Sequence, residues 1–369
     1  MVKCLSDVVT PINMKFEIEP EEQHNVLESL SSVLRELLGS DVEIQKFWRL
    51  GGGASKEAWA LDLLIEKKLQ HWFVRRMGGG VIHDHALPLN VEHAVIHAAY
   101  QSGVPVPCPI GPVFDLAGKE AYVMPRVVGE GIGSRIVRNL SDAIHQPKAE
   151  LLINQMANAL ASIHRLRVGD IPELLQPSAS TSVALRTIQQ LEKKLDEADE
   201  PHPVIEFGLQ ELRKRISESG AETPHEMVLV HGDFRMGNLL VDDTGLAAVI
   251  DWEFAHWGHP LEDLAWPLVR AWRFGRQDRH VGGIGKLENY LSAYNKASGS
   301  EFTPSQLAWW ELAGNLRWSI SCLTQARRHL SGAELNVELA LLGRLASEVE
   351  HEILELMSHH QNRKHSYAG

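Results

Sequence analysis

The sequence predicts an α+β chain in two unequal parts, a sheet-rich segment over residues 1–124 and a larger, mostly helical segment over 125–369. Three observations carry this. The first third holds apolar runs of strand length, broken by glycine and proline clusters. Most of the remainder places its apolar residues at helical spacing. Inside that helical part, three short apolar runs near residues 228–250 bracket a compact group of polar side chains.

Val26, Leu30, Val33, Leu34 and Leu37 recur at helical spacing, and Gly39 follows as a C-terminal stop. Val42 to Leu50 reads as a strand, ended by Gly51-Gly52-Gly53-Ala54-Ser55. Ala58 to Leu64 and Trp72 to Arg76 are the next strands, and Val91 to Gln101 is a short helix carrying Glu92. Val104-Pro105-Val106-Pro107-Cys108-Pro109 excludes helix, because each proline removes a donor and restricts the residue before it. Ala121 to Met124 is a further strand, closed by Pro125.

Leu152, Met156, Ala159, Ile163 and Leu166 trace a helix face expected to run to Gly169. Pro172 to Ser182 reads as loop and Leu191 to Glu200 as a polar helix. Val228 to Val230, Leu239 to Val241 and Ala247 to Ile250 read as strands, the last two joined by the turn Asp242-Asp243-Thr244-Gly245. Helices are expected to fill the rest, and the polar tail His359 to Gly369 is expected to fray.

At 369 residues, 44% hydrophobic and 23% charged, the composition is that of a globular protein with a large core. A net charge of -12 argues against nucleic acid, since a polyanion wants a basic footprint. Cys4, Cys108 and Cys322 are widely spaced, so neither a disulfide framework nor a zinc site follows. The start of the chain lacks the pattern of a signal peptide and no apolar run reaches membrane-spanning length, so the expectation is a cytoplasmic chain with no membrane partner.

The chemistry concentrates in His231-Gly232-Asp233-Phe234-Arg235-Met236-Gly237-Asn238 and Ile250-Asp251-Trp252-Glu253. A hairpin between them brings Asn238 close to Asp251. Their oxygens form a partial cage for a hard cation, and Mg²⁺ characteristically takes one or two carboxylates plus phosphate oxygens and water. Asp233 stays available for an acceptor hydroxyl. Asp and Asn also cap turns, but this combination at this spacing points to magnesium-dependent phosphoryl transfer.

Gly51-Gly52-Gly53 lets backbone N–H groups approach phosphate oxygens, although the run equally suits a plain turn. It is not a Walker A loop, because Lys56 is followed by Glu57. Alternation sends Arg75 and Arg76 to opposite faces, so one should reach the cleft, where it could hold phosphates; an exposed strand end is the alternative. A pair between that arginine and Glu92 would fix its geometry. His83-Asp84-His85 is poorly spaced for one cation. Seven of the ten tryptophans lie between Asp251 and Trp318, as core or as pocket wall, and Arg270, Arg273, Arg276 and Arg279 recur every three residues as a drifting helical stripe.

The order of these motifs resembles the protein-kinase-like fold, and more closely the aminoglycoside phosphotransferase / choline kinase family, which carries His-Gly-Asp and Ile-Asp-Trp-Glu variants of the catalytic motifs. The similarity covers roughly Leu50 to Ala265. Phe73-Val74-Arg75-Arg76 and His83-Asp84 are similar to a subgroup related to the kinase-like domain fused to some acyl-CoA dehydrogenases. The resemblance implies a bilobal fold with an N-terminal antiparallel-sheet lobe and a larger, mostly helical C-terminal lobe. It implies ATP and Mg²⁺ as cofactors and a small-molecule hydroxyl as acceptor, a hydroxyacyl compound or an aminoglycoside among the candidates; a nucleotide-binding pseudokinase is the other reading.

By the same resemblance, Asp233 is the catalytic aspartate, and Asn238 and Asp251 hold the metal. Gly51, Gly52, Gly53, Ala54 and Ser55 cover the phosphates. Arg75 stands where the family has a strand lysine, with Glu92 as its partner. Met124, Arg126 and Val127 belong to the hinge that contacts adenine, and Asp263 supports the catalytic loop.

Overall fold

The computed structural model describes residues 20–39, 41–50, 56–78, 86–176, 181–198, 200–221 and 227–366. Helix α1 (Pro20–Leu38) stops at Gly39, whose φ of +94° suits glycine. Strands β1 (Val42–Leu50), β2 (Lys56–Ile65) and β3 (Lys68–Met77) follow. The β2–β3 turn has positive φ at both Glu66 and Lys67, the sign that matches strand twist in a two-residue hairpin. After α2 (Leu89–Gln101), β4 (Ile110–Leu116) and β5 (Lys119–Pro125) complete an antiparallel sheet of order β1-β2-β3-β5-β4.

Register decides what each sheet face carries. Trp59, Val74 and Val123 lie opposite one another and pack with Val26, Leu30 and Leu34 of α1. Their sequence neighbours Ala58, Arg75 and Tyr122 are likewise paired and point to the other face, where Tyr122 meets Glu92 of α2. Arg76 lies on the α1 face, buried and bonded to Glu57 at 2.7 Å. It is therefore neither a cleft residue nor an exposed strand end.

Beyond β5 come α3 (Gly133–Asn139), α4 (Gln146–Ile163), α5 (Val183–Asp196) and α6 (Pro203–Lys214). The hairpin β7 (Leu239–Asp242)–β8 (Gly245–Val249) and the pair β6 (Val228–Val230)–β9 (His256–Gly258) carry the central motif. Helices α7 (Pro260–Ala265), α8 (Leu287–Ser298), α9 (Pro304–Leu330) and α10 (Val337–Ser366) follow. Leu152, Met156 and Leu160 of α4 join Tyr290 of α8 and Leu316 of α9 in the main core. No helix among the described residues is long and apolar enough to cross a membrane.

Several boundaries depart from expectation. Helix α4 ends at Ile163, short of Gly169, because the chain turns there: Arg167 bridges to Val228 and His164 reaches Asp263. Helix α5 begins at Val183, where Ser182 caps it by accepting a bond from the Leu185 N–H, and it ends at Asp196. Strand β4 was hidden by Pro112, which the ladder tolerates because β4 is an edge strand with irregular register. The tail does not fray at His359, since α10 continues to Ser366. The arginine stripe is a 3-10 turn over Arg270–Arg273 followed by further turns, not a continuous helix, and its members are ion-paired: Arg270 with Glu352, Arg273 with Glu311, and Arg276 and Arg279 with Asp278.

Candidate active site

The His231–Asn238 segment lies between β6 and β7. Gly232 has φ +78°, and a Cβ there would lie 2.3 Å from the Phe254 carbonyl oxygen, so only glycine fits. The loop hangs on Asp263 of α7, whose carboxylate accepts bonds from the backbone N–H groups of His231 (2.6 Å) and Gly232 (2.9 Å). Asp263 is fully buried. Burial raises its pKa, but the hydrogen bond and charge from His164, with help from His231, outweigh that and hold the carboxyl below its ordinary value. His231 Nε2 bonds the Ile250 carbonyl at 3.0 Å, tying the loop to the end of the β7–β8 hairpin.

Asp233 is nearly buried and held from three sides. Trp266 Nε1 donates to its Oδ1 at 2.6 Å, Arg235 Nε donates to both oxygens at 3.1 and 3.2 Å, and Asn238 Nδ2 donates to Oδ2 at 2.6 Å. The Asn238 amide nitrogen also bonds the Asp233 backbone carbonyl at 2.9 Å. With its amide protons directed at Asp233, Asn238 keeps its carbonyl oxygen for a cation.

The hairpin sets Asn238 against residue 250, with the Ile250 N–H donating to the Asn238 backbone carbonyl at 2.9 Å. Asp251 follows directly, in left-handed backbone with φ +66°, and its carboxylate is the most accessible in the cluster. One amide oxygen and one carboxylate, both hard donors, suit Mg²⁺ that completes its shell with phosphate and water. Among the described residues, no group of three or more His, Cys, Asp or Glu side chains forms a closed metal cage, which a site of that open kind does not need.

Above Asp251 lies a buried charge cluster. Glu92 is 1% exposed; its Oε1 accepts from the Tyr122 hydroxyl at 2.8 Å and faces Arg75 Nε at 2.9 Å. Arg75 Nη2 donates to Asp251 Oδ1 at 3.1 Å and stands 3.7 Å from Glu253. Burial acts to lower the arginine's pKa, but Glu92 and Asp251 more than offset it, so the guanidinium stays charged. Glu253 is pushed up by burial and by Asp251, against the opposing pull of Arg75 and Lys56.

Lys56, which sequence reasoning used only to reject a Walker motif, is bonded through its ammonium to Glu92 Oε2. The signal was available. Strand alternation puts residue 56 on the face of residue 58, which is opposite Arg75, and a lysine heading an apolar strand needs a buried partner.

Arg235, Trp266 and Arg317 were also missed as site residues. The Arg235 guanidinium lies 4.5 Å from the Trp272 ring centre, and Arg317 lies 4.6 Å from that of Trp266. Trp266, Trp272 and Trp318 pack together beside Asp233, while Trp252, Trp257, Trp309 and Trp310 belong to the main core. All seven therefore pack in apolar clusters, and Trp266 also bonds Asp233.

At the other end of the cleft, Met124 pairs with Phe73 at the close of β5. The Arg126 backbone N–H donates to the His71 carbonyl at 2.9 Å, and its side chain bonds Asp62 at 3.0 Å and lies over Trp48. Val127 follows, half-buried. Gly51, Gly52, Gly53, Ala54 and Ser55, and His83-Asp84-His85, lie outside the described residues.

A five-stranded antiparallel sheet over a mostly helical body, with the His231–Asp251 segment at their junction, is the protein-kinase-like fold. The chain belongs to the phosphotransferase enzyme family, APH, whose model matches residues 48–310. Acyl-CoA dehydrogenase family member 11 of Pongo abelii is 27% identical over 248 residues, a match spanning 64% of this chain and 31% of that relative's length. Among solved structures, a protein of Ralstonia eutropha JMP134 assigned to the aminoglycoside phosphotransferases superposes with a TM-score of 0.71 at 19% identity, covering 89% of this chain and 97% of the other. A thermostable variant of aminoglycoside phosphotransferase APH(4)-Ia, in ternary complex with AMP-PNP and hygromycin B, gives a TM-score of 0.55 at 16% identity, covering 89% and 98%.

Proposed function

We propose that this protein transfers the γ-phosphate of Mg-ATP to a hydroxyl group of a small molecule. The observation that carries the reading is Asp233, fixed by Trp266, Arg235 and Asn238, with Asp251 directly after the Ile250 whose N–H bonds the Asn238 backbone. In this reading the residues up to Met124 form the nucleotide lobe, residues 125–369 form the catalytic and acceptor lobe, and Met124, Arg126 and Val127 border adenine.

Asp233 accepts a hydrogen bond from the acceptor hydroxyl and aligns its oxygen with the γ-phosphorus. The transition state is loose, so orientation counts for more than early proton removal. Asn238 and Asp251 would hold Mg²⁺, which supplies charge neutralisation at the phosphates. Arg75 and Glu92 keep the phosphate side of the cleft in register.

The acceptor side supports a particular substrate class. Arg235 and Arg317 cover the faces of Trp272 and Trp266, so a polycationic aminoglycoside would meet two guanidinium groups. Buried indole N–H groups of Trp272 and Trp318 find no partner among the described residues. A ligand carbonyl would satisfy such donors, and each orphan costs about 1–3 kcal/mol. An anionic hydroxyacyl-type metabolite has both the charge and the carbonyl.

Asp233→Ala is expected to retain Mg-ATP binding by calorimetry while lowering turnover about 10²- to 10⁴-fold. Unchanged turnover in that variant would remove Asp233 from the mechanism. If the unaltered protein binds Mg-ATP but transfers phosphate to none of a panel of hydroxyacyl, polyol and aminoglycoside acceptors, the pseudokinase reading takes over.

A further inference from the structure

We infer that Lys56 is the residue that carries positive charge to the nucleotide's phosphates, reaching the cleft from β2, while Arg75 serves as a fixed strut. The inference rests on the phosphotransferase reading above and deepens it.

The argument begins with register. Ala58 lies opposite Arg75 and Lys56 opposite Met77, so Lys56 and Arg75 share the sheet face that looks onto α2. Glu92 on that helix receives both cations, Lys56 on Oε2 and Arg75 on Oε1, with the Tyr122 hydroxyl also on Oε1. One carboxylate that gathers two buried cations is not a simple structural pair. A single ion pair would satisfy Glu92, and a second buried cation adds desolvation that a structural role does not require.

The two cations are held differently. The Arg75 guanidinium is engaged at both ends, through Nε toward Glu92 and through Nη2 to Asp251, so it spans from α2 to the proposed metal site. Turning Nη2 onto a phosphate would release Asp251. The Lys56 ammonium carries three donors on a flexible stem. Among the described residues its hydrogen-bond partner is Glu92, with Glu253 next at 3.8 Å. It can therefore keep one bond to Glu92 and direct another donor at a phosphate oxygen.

Charge in the cluster agrees. Glu92, Asp251 and Glu253 face Lys56 and Arg75, three carboxylates against two cations. A divalent cation at Asp251 would reverse the sign and leave Lys56 beside a polyanion it can neutralise.

The test is calorimetric binding of Mg-ATP and of adenosine to the full chain and to Lys56→Met. Adenosine lacks phosphates, so it reports the integrity of the cleft. The expected result is a loss of about 10- to 100-fold in Mg-ATP affinity, the size of a charge-assisted hydrogen bond, with adenosine affinity unchanged. Equal losses for both ligands would make Lys56 a purely structural residue and overturn the inference. So would unchanged Mg-ATP affinity, which leaves the phosphotransferase reading standing provided Asp233→Ala still lowers turnover about 10²- to 10⁴-fold. Failure of the unaltered protein to bind Mg-ATP would overturn both. Should Lys56→Met fail to fold, Lys56→Gln keeps a donor toward Glu92 and is read against the same pair of ligands.

Discussion

In the proposed transfer, Asp233 would act from a position its neighbours leave little freedom. Trp266 and Asn238 fix one oxygen each and Arg235 grips both, so the carboxylate is aimed before any acceptor arrives. The loop that carries it depends in turn on Asp263, which satisfies two backbone donors that have no other role. Asp263→Ala should cost about 1–3 kcal/mol for each orphaned donor, read as a lowered midpoint in thermal or urea unfolding. The pH sign follows from the depressed folded-state pKa of Asp263. Its contribution is present above the unfolded carboxyl value, near 3.9, and is lost as pH falls through the lower folded value. Acid unfolding should therefore be less steep in the variant. At this scale the sequence was readable where residues are near in the chain: Asn238 bonds Asp233, and the β7–β8 hairpin expected between Asn238 and Asp251 is present. Lys56 was not, because its partner Glu92 is 36 residues away and only strand register brings them together.

Helix α9 links several of these residues to the core. It presents Arg317, whose Nη2 bonds the Gly232 carbonyl at 2.8 Å, and buries Trp309 and Trp310 about two turns earlier. The helix starts with a capping box in which Thr303 accepts from the Gln306 N–H and Gln306 accepts from the Thr303 N–H. Thr303→Ala should destabilise the protein by about 1 kcal/mol, measured by denaturant melts, without moving the Mg-ATP dissociation constant. Element types were readable from apolar periodicity; the ends were less so. Helix α5 hid its first turns because Val183, Ala184 and Ile188 follow a Ser/Thr-rich stretch that reads as loop, and β4 was masked by its own proline. In each case a tertiary feature, a cap or an edge position, overrode the local signal.

At the scale of the molecule, the sheet and the helical body touch through polar links across the cleft. The Leu87 N–H donates to the Glu253 carbonyl at 2.7 Å, and Arg75 joins Glu92 to Asp251. A nucleotide bound between them engages both sides at once. Mg-ATP at a hundred times its dissociation constant should therefore raise unfolding free energy by about 2.7 kcal/mol, visible as an upward shift in melting temperature that ATP without Mg²⁺ does not match.

The left-handed backbone at Asp251 has a consequence for how this chain can change. A residue with a Cβ is disfavoured there by roughly 1–3 kcal/mol, and glycine would relax it. Glycine would also delete the carboxylate that faces Arg75. Selection for heat tolerance alone would thus favour a chain that keeps its shape and loses its proposed metal ligand. Persistence of aspartate at that bend across a lineage would be a record of selection for activity, readable without knowing the acceptor.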